Sequence, residues 1–248
     1  MKIRRNNTKY YRNYNNLTFE NILIKIRRNV LISQLKKFKP KRILEIGCGN
    51  TSVAYYYKNF SNFTIIEPSK YFIKKNLKLF KKNKKVTLIN SYLENAHDLI
   101  NKKNVFDFVI CSSVLHEVSS EKNFMNSLQK YCNKKTIVHI NVPNSNSFHR
   151  LIAYESSMIK SITQRSLTQK KMQQFRIYNL EKLTATIKKY HFKVISKGSF
   201  FFKPFTHKQM YNILKNKILP KKVLIGLSKV IKYVPNFGAE IYINVKKR

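Results

Sequence analysis

Apolar positions along the chain fall into two rhythms. Short, nearly unbroken apolar runs occur at 43–46, 63–66, 86–90, 106–111, 136–141, 192–202 and 241–245, the mark of buried strands. Between them apolar residues recur at three- and four-residue intervals, the mark of helices with one buried face. This spacing predicts a helix over 19–38, opened by Thr18, with Leu23, Ile26, Val30 and Leu35 on its apolar side and a stop at Lys39-Pro40. Further helices are expected at 52–60, at 70–80 with Phe72, Ile73, Leu77 and Phe80 inward, at 120–131, and at 178–190 behind an Asn179 cap. Strands alternating with helices predict an α/β fold, a mostly parallel sheet with helices on both faces. Outside this frame lie a basic, tyrosine-rich stretch at 1–17, read as a mobile arm, and a Ser/Thr/Gln-rich stretch at 151–175. A basic insertion at 205–238 includes an amphipathic run at 223–234, which suits either an anionic membrane surface or packing on the domain.

The first strand ends in Glu45-Ile46-Gly47-Cys48-Gly49, followed by Thr51-Ser52-Val53. Glycine allows a backbone angle closed to other residues and lets a ligand approach the main chain, so a strand, a Gly-x-Gly turn and a helix start make a nucleotide-type site. Ser52 stands where a dinucleotide fingerprint wants a third Gly or Ala, and no Gly-Lys-Ser/Thr follows. Glu45, two residues before the first glycine, repels a pyrophosphate and suits a cationic ligand. The second strand ends in Glu67-Pro68-Ser69, about 20 residues past the glycines, where an acid holds a ribose diol; a helix-capping acid is the alternative reading of Glu67. Pro143 is expected to end the fifth strand and to start a loop at the carboxyl edge of the sheet, the side on which ligands bind in such folds.

The 248 residues include 50 Lys plus Arg but only 11 Asp plus Glu, a formal charge of +39. Such a balance invites an anionic partner: RNA, an anionic membrane or a phosphorylated substrate. The lysines are scattered through every segment, not clustered, which favours compositional bias as the explanation. Cys48, Cys111 and Cys132 have no metal-site spacing and form no disulfide framework, which points to a reducing cytoplasm and to no metal. No run reaches the ~20 apolar residues of a membrane span.

The Glu45-x-Gly47-x-Gly49 pattern resembles the first motif of class I S-adenosylmethionine-dependent methyltransferases, whose cofactor carries a sulfonium and an ammonium and no phosphate. Thr51 departs from the third glycine of many relatives. A second block resembles the family's fourth motif: Asp107 before an apolar strand, then Cys111-Ser112-Ser113-Val114-Leu115-His116. The Val142-Pro143-Asn144 to His149-Arg150 stretch is similar to the matching loop of methyltransferases acting on quinones, sugars and other small molecules.

The resemblance implies a Rossmann-like, doubly wound, seven-stranded sheet whose last strand inserts antiparallel beside the fifth. It implies S-adenosyl-L-methionine as cofactor, held by Glu45, Gly47, Cys48, Gly49, Glu67 and Pro68. Ser91, Tyr92 and Leu93 are then expected at the adenine, and Cys111 and Ser112 at the methionine end. The chain then reads as one methyltransferase domain over 1–248: an N-terminal arm and cap helix at 1–38, a core at 40–202, a lid-like insertion at 145–175, a basic helical insertion at 203–238 and the last strand at 239–248. The insertion at 145–175 is expected to place His149, Arg150, Tyr154 and Gln174 near substrate, or else to be plain surface.

Methyl transfer to a hydroxyl benefits from a general base, and His149 and His116 sit on loops at the expected edge. The other four histidines are expected to be structural or exposed. The expected acceptor is a small molecule, an anionic one among the candidates, with a hydroxyl on a sugar, nucleotide-sugar or quinone-like compound. An RNA methyltransferase is one alternative, although no Asn/Asp-Pro-Pro-aromatic segment follows the fourth strand. A non-catalytic binding module of the same fold is the other.

Overall fold

Seven strands form one sheet, and their register shows why the runs read as buried. The computed structural model describes residues 6–16, 18–100, 105–220 and 222–248. In chain order the strands are β1 (Arg42–Ile46), β2 (Asn62–Ile66), β3 (Val86–Ile89), β4 (Phe108–Ser112), β5 (Ile137–Pro143), β6 (Phe192–Phe200) and β7 (Glu240–Lys247). They lie in the order β3-β2-β1-β4-β5-β7-β6. The first five are parallel, and β7 runs antiparallel to both β5 and β6. This is the seven-stranded, Rossmann-like arrangement the resemblance implies.

Nine helices of the described residues surround the sheet: α1 (Asn7–Asn15), α2 (Glu20–Phe38), α3 (Lys70–Phe80), α4 (Glu121–Lys130), α5 (Phe148–Glu155), α6 (Leu167–Lys171), α7 (Leu180–Lys189), α8 (His207–Lys215) and α9 (Lys222–Lys229). One core cluster joins Leu44, Val109, Val138 and Ile243 to α4 and α7. A second joins Ile43, Phe63 and Phe108 to Leu31 and Leu35 of α2. A third packs Phe19 and Leu23 against Phe200, Phe201 and Met210, so α2 bridges the sheet and the C-terminal insertion. Leu224 and Leu227 of α9 pack partly buried on this third cluster. No helix among the described residues is long and apolar enough to cross a membrane.

Several local expectations are corrected. Helix α2 starts at Glu20 with Phe19 as its cap, not Thr18, and ends at Lys39 in the left-handed region with its N–H on Leu35 O. Residues 52–60 form only a short 3-10 turn at Val53–Tyr55. Ser52 and its neighbours give their N–H groups to side chains, and the Tyr55-Tyr56-Tyr57 run is a poor helix former. On α3 the buried fourth position is Asn76, and Leu77 is 51% exposed. Pro143 is the last residue of β5, opposite Glu240, so it closes the strand from within. Where an arm is expected, residues 7–15 form α1; residues 1–5 and 17 lie outside the described residues.

Candidate functional site

The carboxyl ends of the strands open onto one cavity of about 1170 Å³. Its first half is built by the turn after β1. Gly47 and Gly49 both have positive φ, +77° and +56°, and the Gly47 N–H donates to Ile66 O at 2.8 Å. A Cβ on Gly47 would stand 2.8 Å from Val114 Cγ2, so this glycine is needed by the loop after β4 as well as by its own backbone. A Cβ on Gly49 would meet the Tyr14 hydroxyl at 3.4 Å. The approach to the second glycine, expected to be open, is therefore lined by a tyrosine of α1.

Two buried carboxylates brace the turn. Glu67 Oε2 accepts the Cys48 N–H at 3.0 Å, and Oε1 accepts the Ser69 N–H at 2.8 Å. Glu45 accepts hydrogen bonds from the Ser52 hydroxyl and the Val53 N–H. Burial pushes the Glu45 carboxyl up to about 7, against the lowering effect of those hydrogen bonds and with nearby Glu67 adding to the rise. Asn76, fully buried on α3, accepts the Ser52 N–H at 2.9 Å and donates to Gly49 O at 3.0 Å. Its sequence signal was a polar residue four positions after Phe72 on the apolar face of a helix.

Helix α1 roofs this half. Tyr10, Tyr11 and Tyr14 pack around the Phe72 ring, with centroids 6.4, 5.3 and 5.5 Å away. The Asn7 amide donates to the Tyr92 hydroxyl at 3.2 Å, and the Tyr10 hydroxyl donates to Glu117 at 3.2 Å. On the other side Asn6 N–H donates to Gln173 Oε1 at 2.8 Å.

Of the residues expected at a cofactor, Glu45, Gly47, Cys48, Gly49, Glu67 and Pro68 line the cavity, as do Tyr92, Leu93 and Ser112. Two of the expected residues do not line it. Cys111 points into the core cluster with no exposure, because alternate residues of β4 face opposite sides and Ser112 takes the cavity side. Ser91 does not line the cavity; its hydroxyl turns back to Tyr92 O at 3.0 Å. Asp107 sits at the opposite edge of the sheet, accepting the Lys41 and Arg42 N–H groups and an Arg42 ion pair at 2.8 Å.

The second half lies over β5, β7 and β6. His149 and His116 both line the cavity. His116 is 3% exposed, with Nε2 3.7 Å from Glu117 Oε1, and its carbonyl accepts the Phe175 N–H at 2.9 Å. The buried His149 Nδ1 finds no hydrogen-bond partner among the described residues. Burial, with Lys203 adding, holds His149 well below the ordinary imidazole range. Gln174 lines the cavity, whereas Tyr154 is 44% exposed and does not. Arg150 lines it too, but its Nη2 donates to Ile162 O at 2.7 Å and Gln164 O at 2.6 Å, tying down the insertion.

Three charged or titratable residues of this half, Arg27, Lys203 and His207, were not singled out by spacing. Arg27 forms ion pairs with Glu240 and, at 3.3 Å, with Glu20. Burial works against its charge, yet the two carboxylates outweigh it and raise the group. Lys203 is 3% exposed, and burial holds its ammonium down to about 7. His207, expected to be structural or exposed, lines the cavity, and burial pushes it down to about 3. Its Nδ1 is buried without a partner among the described residues.

A family model described as a methyltransferase domain matches residues 21–197. No curated protein sequence matches the chain. Among solved structures, a methyltransferase of Thermotoga maritima, described as a possible histamine N-methyltransferase, is 16% identical over 96% of this chain and 100% of its own, with a TM-score of 0.58. A plantazolicin methyltransferase in complex with a monoazolic desmethyl analog and S-adenosylhomocysteine is 16% identical over 97% of this chain and 90% of its own, TM-score 0.58. A [4+2]-cyclase is 14% identical over 84% of this chain and 74% of its own, TM-score 0.53.

Proposed function

We propose, from the premise that the chain belongs to the class I S-adenosylmethionine-dependent methyltransferases, that it methylates a hydroxyl of a small molecule, with a sugar, nucleotide-sugar or quinone-like compound as the acceptor class. The observation that carries this reading is the continuity of one cavity from the Gly47–Gly49 turn to His149, roofed by α1 and bounded by the insertion at 145–175. A cleft of this size suits a cofactor and a small acceptor side by side.

The residues present fit the cofactor. The glycine half offers two buried carboxylates, glycine backbone and the apolar Leu93 to a ligand that is cationic and carries no phosphate. Glu67 would hold the ribose hydroxyls through its carboxylate oxygens. Tyr92 and Leu93 would flank the adenine, and Ser112 the methionine end. When bound, S-adenosylmethionine supplies a methyl group on a sulfonium, already a good leaving group.

What remains for the protein is alignment, exclusion of water and removal of a proton from the acceptor. His149 lines the cavity with a buried Nδ1 that has no partner among the described residues, and is the first candidate to take that proton; His116 is the second. The fold also carries a cyclase among its neighbours, so fold alone does not decide the reaction.

The test is calorimetry with S-adenosylhomocysteine, followed by radiolabelled methyl uptake from the cofactor into sugar-nucleotides, quinone precursors and RNA. Label in a small molecule is expected. Label in RNA that persists at high salt would overturn the acceptor class, since bulk attraction to a +39 chain fades with salt. Failure of the wild-type chain to bind S-adenosylhomocysteine would overturn the reading as a whole.

A further inference from the structure

The charges along the cavity are sorted by sheet position. Over β1 and β2 the buried carboxyl groups are Glu45 and Glu67. Over β5, β7 and β6 cations gather: Arg27, Arg150 and Lys203, with His149 and His207 beside them. Each cation has a different fate. Arg27 is shared by two carboxylates, Glu20 and Glu240. Arg150 spends its donors on the carbonyls of Ile162 and Gln164 and the Gln169 amide oxygen. Lys203 is 97% removed from solvent by its 3% exposure, yet it makes no hydrogen bond or ion pair among the described residues.

The Lys203 ammonium is not among the fully buried unpartnered atoms, so it meets the cavity, where water or a ligand must complete its hydrogen bonds. Glu20 and Glu240 lie near enough to favour the Lys203 charge without bonding to it, and both are already turned to Arg27. The chain reaches Lys203 through Phe201, a fully buried aromatic held at φ +59°, a conformation a bulky residue seldom adopts. The backbone is thus bent just before the side chain that enters the cavity.

We propose that the acceptor carries an anionic group, a carboxylate or a phosphate, and that Lys203 is its seat, with His207 alongside. This rests on the methyltransferase reading, and it names the acceptor's chemistry: a hydroxyl toward the cofactor half and a negative charge toward β6. The donor half is negative and takes a cation; the acceptor half is positive and takes an anion. Such sorting also orients the acceptor before reaction.

Two matched probes test this on the full chain loaded with S-adenosylhomocysteine: 4-hydroxybenzoate, and 4-hydroxybenzamide, which lacks the charge. Inorganic phosphate serves as a competitor. Calorimetry at a pH near 6.5 is expected to show the carboxylate bound about tenfold or more tighter than the amide, the gain of a charge-assisted hydrogen bond. Lys203→Met should bring that ratio to about one, and Lys203→Arg should keep it, while both variants bind S-adenosylhomocysteine as the wild type does. Displacement of the benzoate by phosphate would point to a phosphorylated acceptor, and its absence to a carboxylate. Equal binding of the two probes, no binding of either at about 10 mM, or a preference that survives Lys203→Met would overturn the proposal. Loss of S-adenosylhomocysteine binding by the wild type is read from a separate titration and would count against the methyltransferase reading instead.

Discussion

The Tyr10 hydroxyl donates to Glu117 Oε1 at 3.2 Å, which fastens the N-terminal helix to the loop after β4. The contact spans 107 residues and closes a roof over the Gly47–Gly49 turn. Tyr10→Phe removes this bond and keeps the ring on Phe72. We expect S-adenosylhomocysteine to leave faster from this variant, with an affinity loss of ~0.5–1.5 kcal/mol, the net worth of one hydrogen bond. Stopped-flow dissociation checks this; an unchanged rate would remove α1 from the path of the cofactor.

Glu67 joins the ends of β1 and β2 through the Cys48 and Ser69 N–H groups. Glu67→Ala strands those buried donors and any ribose hydroxyl that the carboxylate holds. Cofactor affinity should fall by ~1–3 kcal/mol, measured by calorimetry. Unchanged affinity would place the ribose elsewhere.

Gly47 is constrained by Val114 as well as by its own φ. Gly47→Ala should therefore lower thermal stability and cofactor binding together. Adding Val114→Ala should restore part of the loss, because it removes the clash but leaves the strained backbone. A double variant no better than the single one would show that Val114 is not the obstacle.

Burial holds Lys203 down to about 7 against an ordinary value of 10.5. Between these values the folded chain binds fewer protons than the unfolded chain, so this group's contribution to stability rises with pH across that window. Below about 7 the folded state bears the full cost of the buried charge. Lys203→Met should thus stabilise the empty protein at pH 6, by ~1–3 kcal/mol, and flatten its stability profile between pH 7 and 10. Urea unfolding across pH measures it, and a profile identical to the wild type would show that the ammonium is not buried in solution.

Arg27 sits between two carboxylates, both buried or nearly so. Arg27→Met leaves Glu20 and Glu240 facing each other without a cation, and should destabilise the fold by ~3–5 kcal/mol in urea unfolding. Asp107, at the far edge of the sheet, offers the contrast. Asp107→Ala should cost stability through the Lys41 and Arg42 N–H groups and leave cofactor affinity untouched.

Strand positions, the Gly-x-Gly turn and the acid after β2 could be read from the chain because each is a local pattern. A buried strand shows as an apolar run, and a positive-φ turn asks for glycine wherever it occurs. The same local logic misled at 52–60, where Glu45, Ser52 and Asn76 take up the N–H groups a helix start would have left free. The resemblance placed Cys111 at the cofactor as well, but alternation along β4 turns its side chain into the core and leaves Ser112 on the cavity side.

Residue order alone thus settled the α/β alternation, the glycine turn and the carboxylates beside it, since all are encoded within a few neighbouring residues. The half of the cavity over β5, β7 and β6 was decided by folding. Arg27 and Glu240 stand 213 positions apart, and Lys203 is one basic residue among 50. Nothing near it in the chain marks it from its solvated counterparts. Only the insertion of β7 between β5 and β6 brings Glu240 and Lys203 to the same sheet edge as His149. Burial then changes what an ordinary lysine can do, because the cost of an ammonium depends on the medium around it and not on the letters beside it.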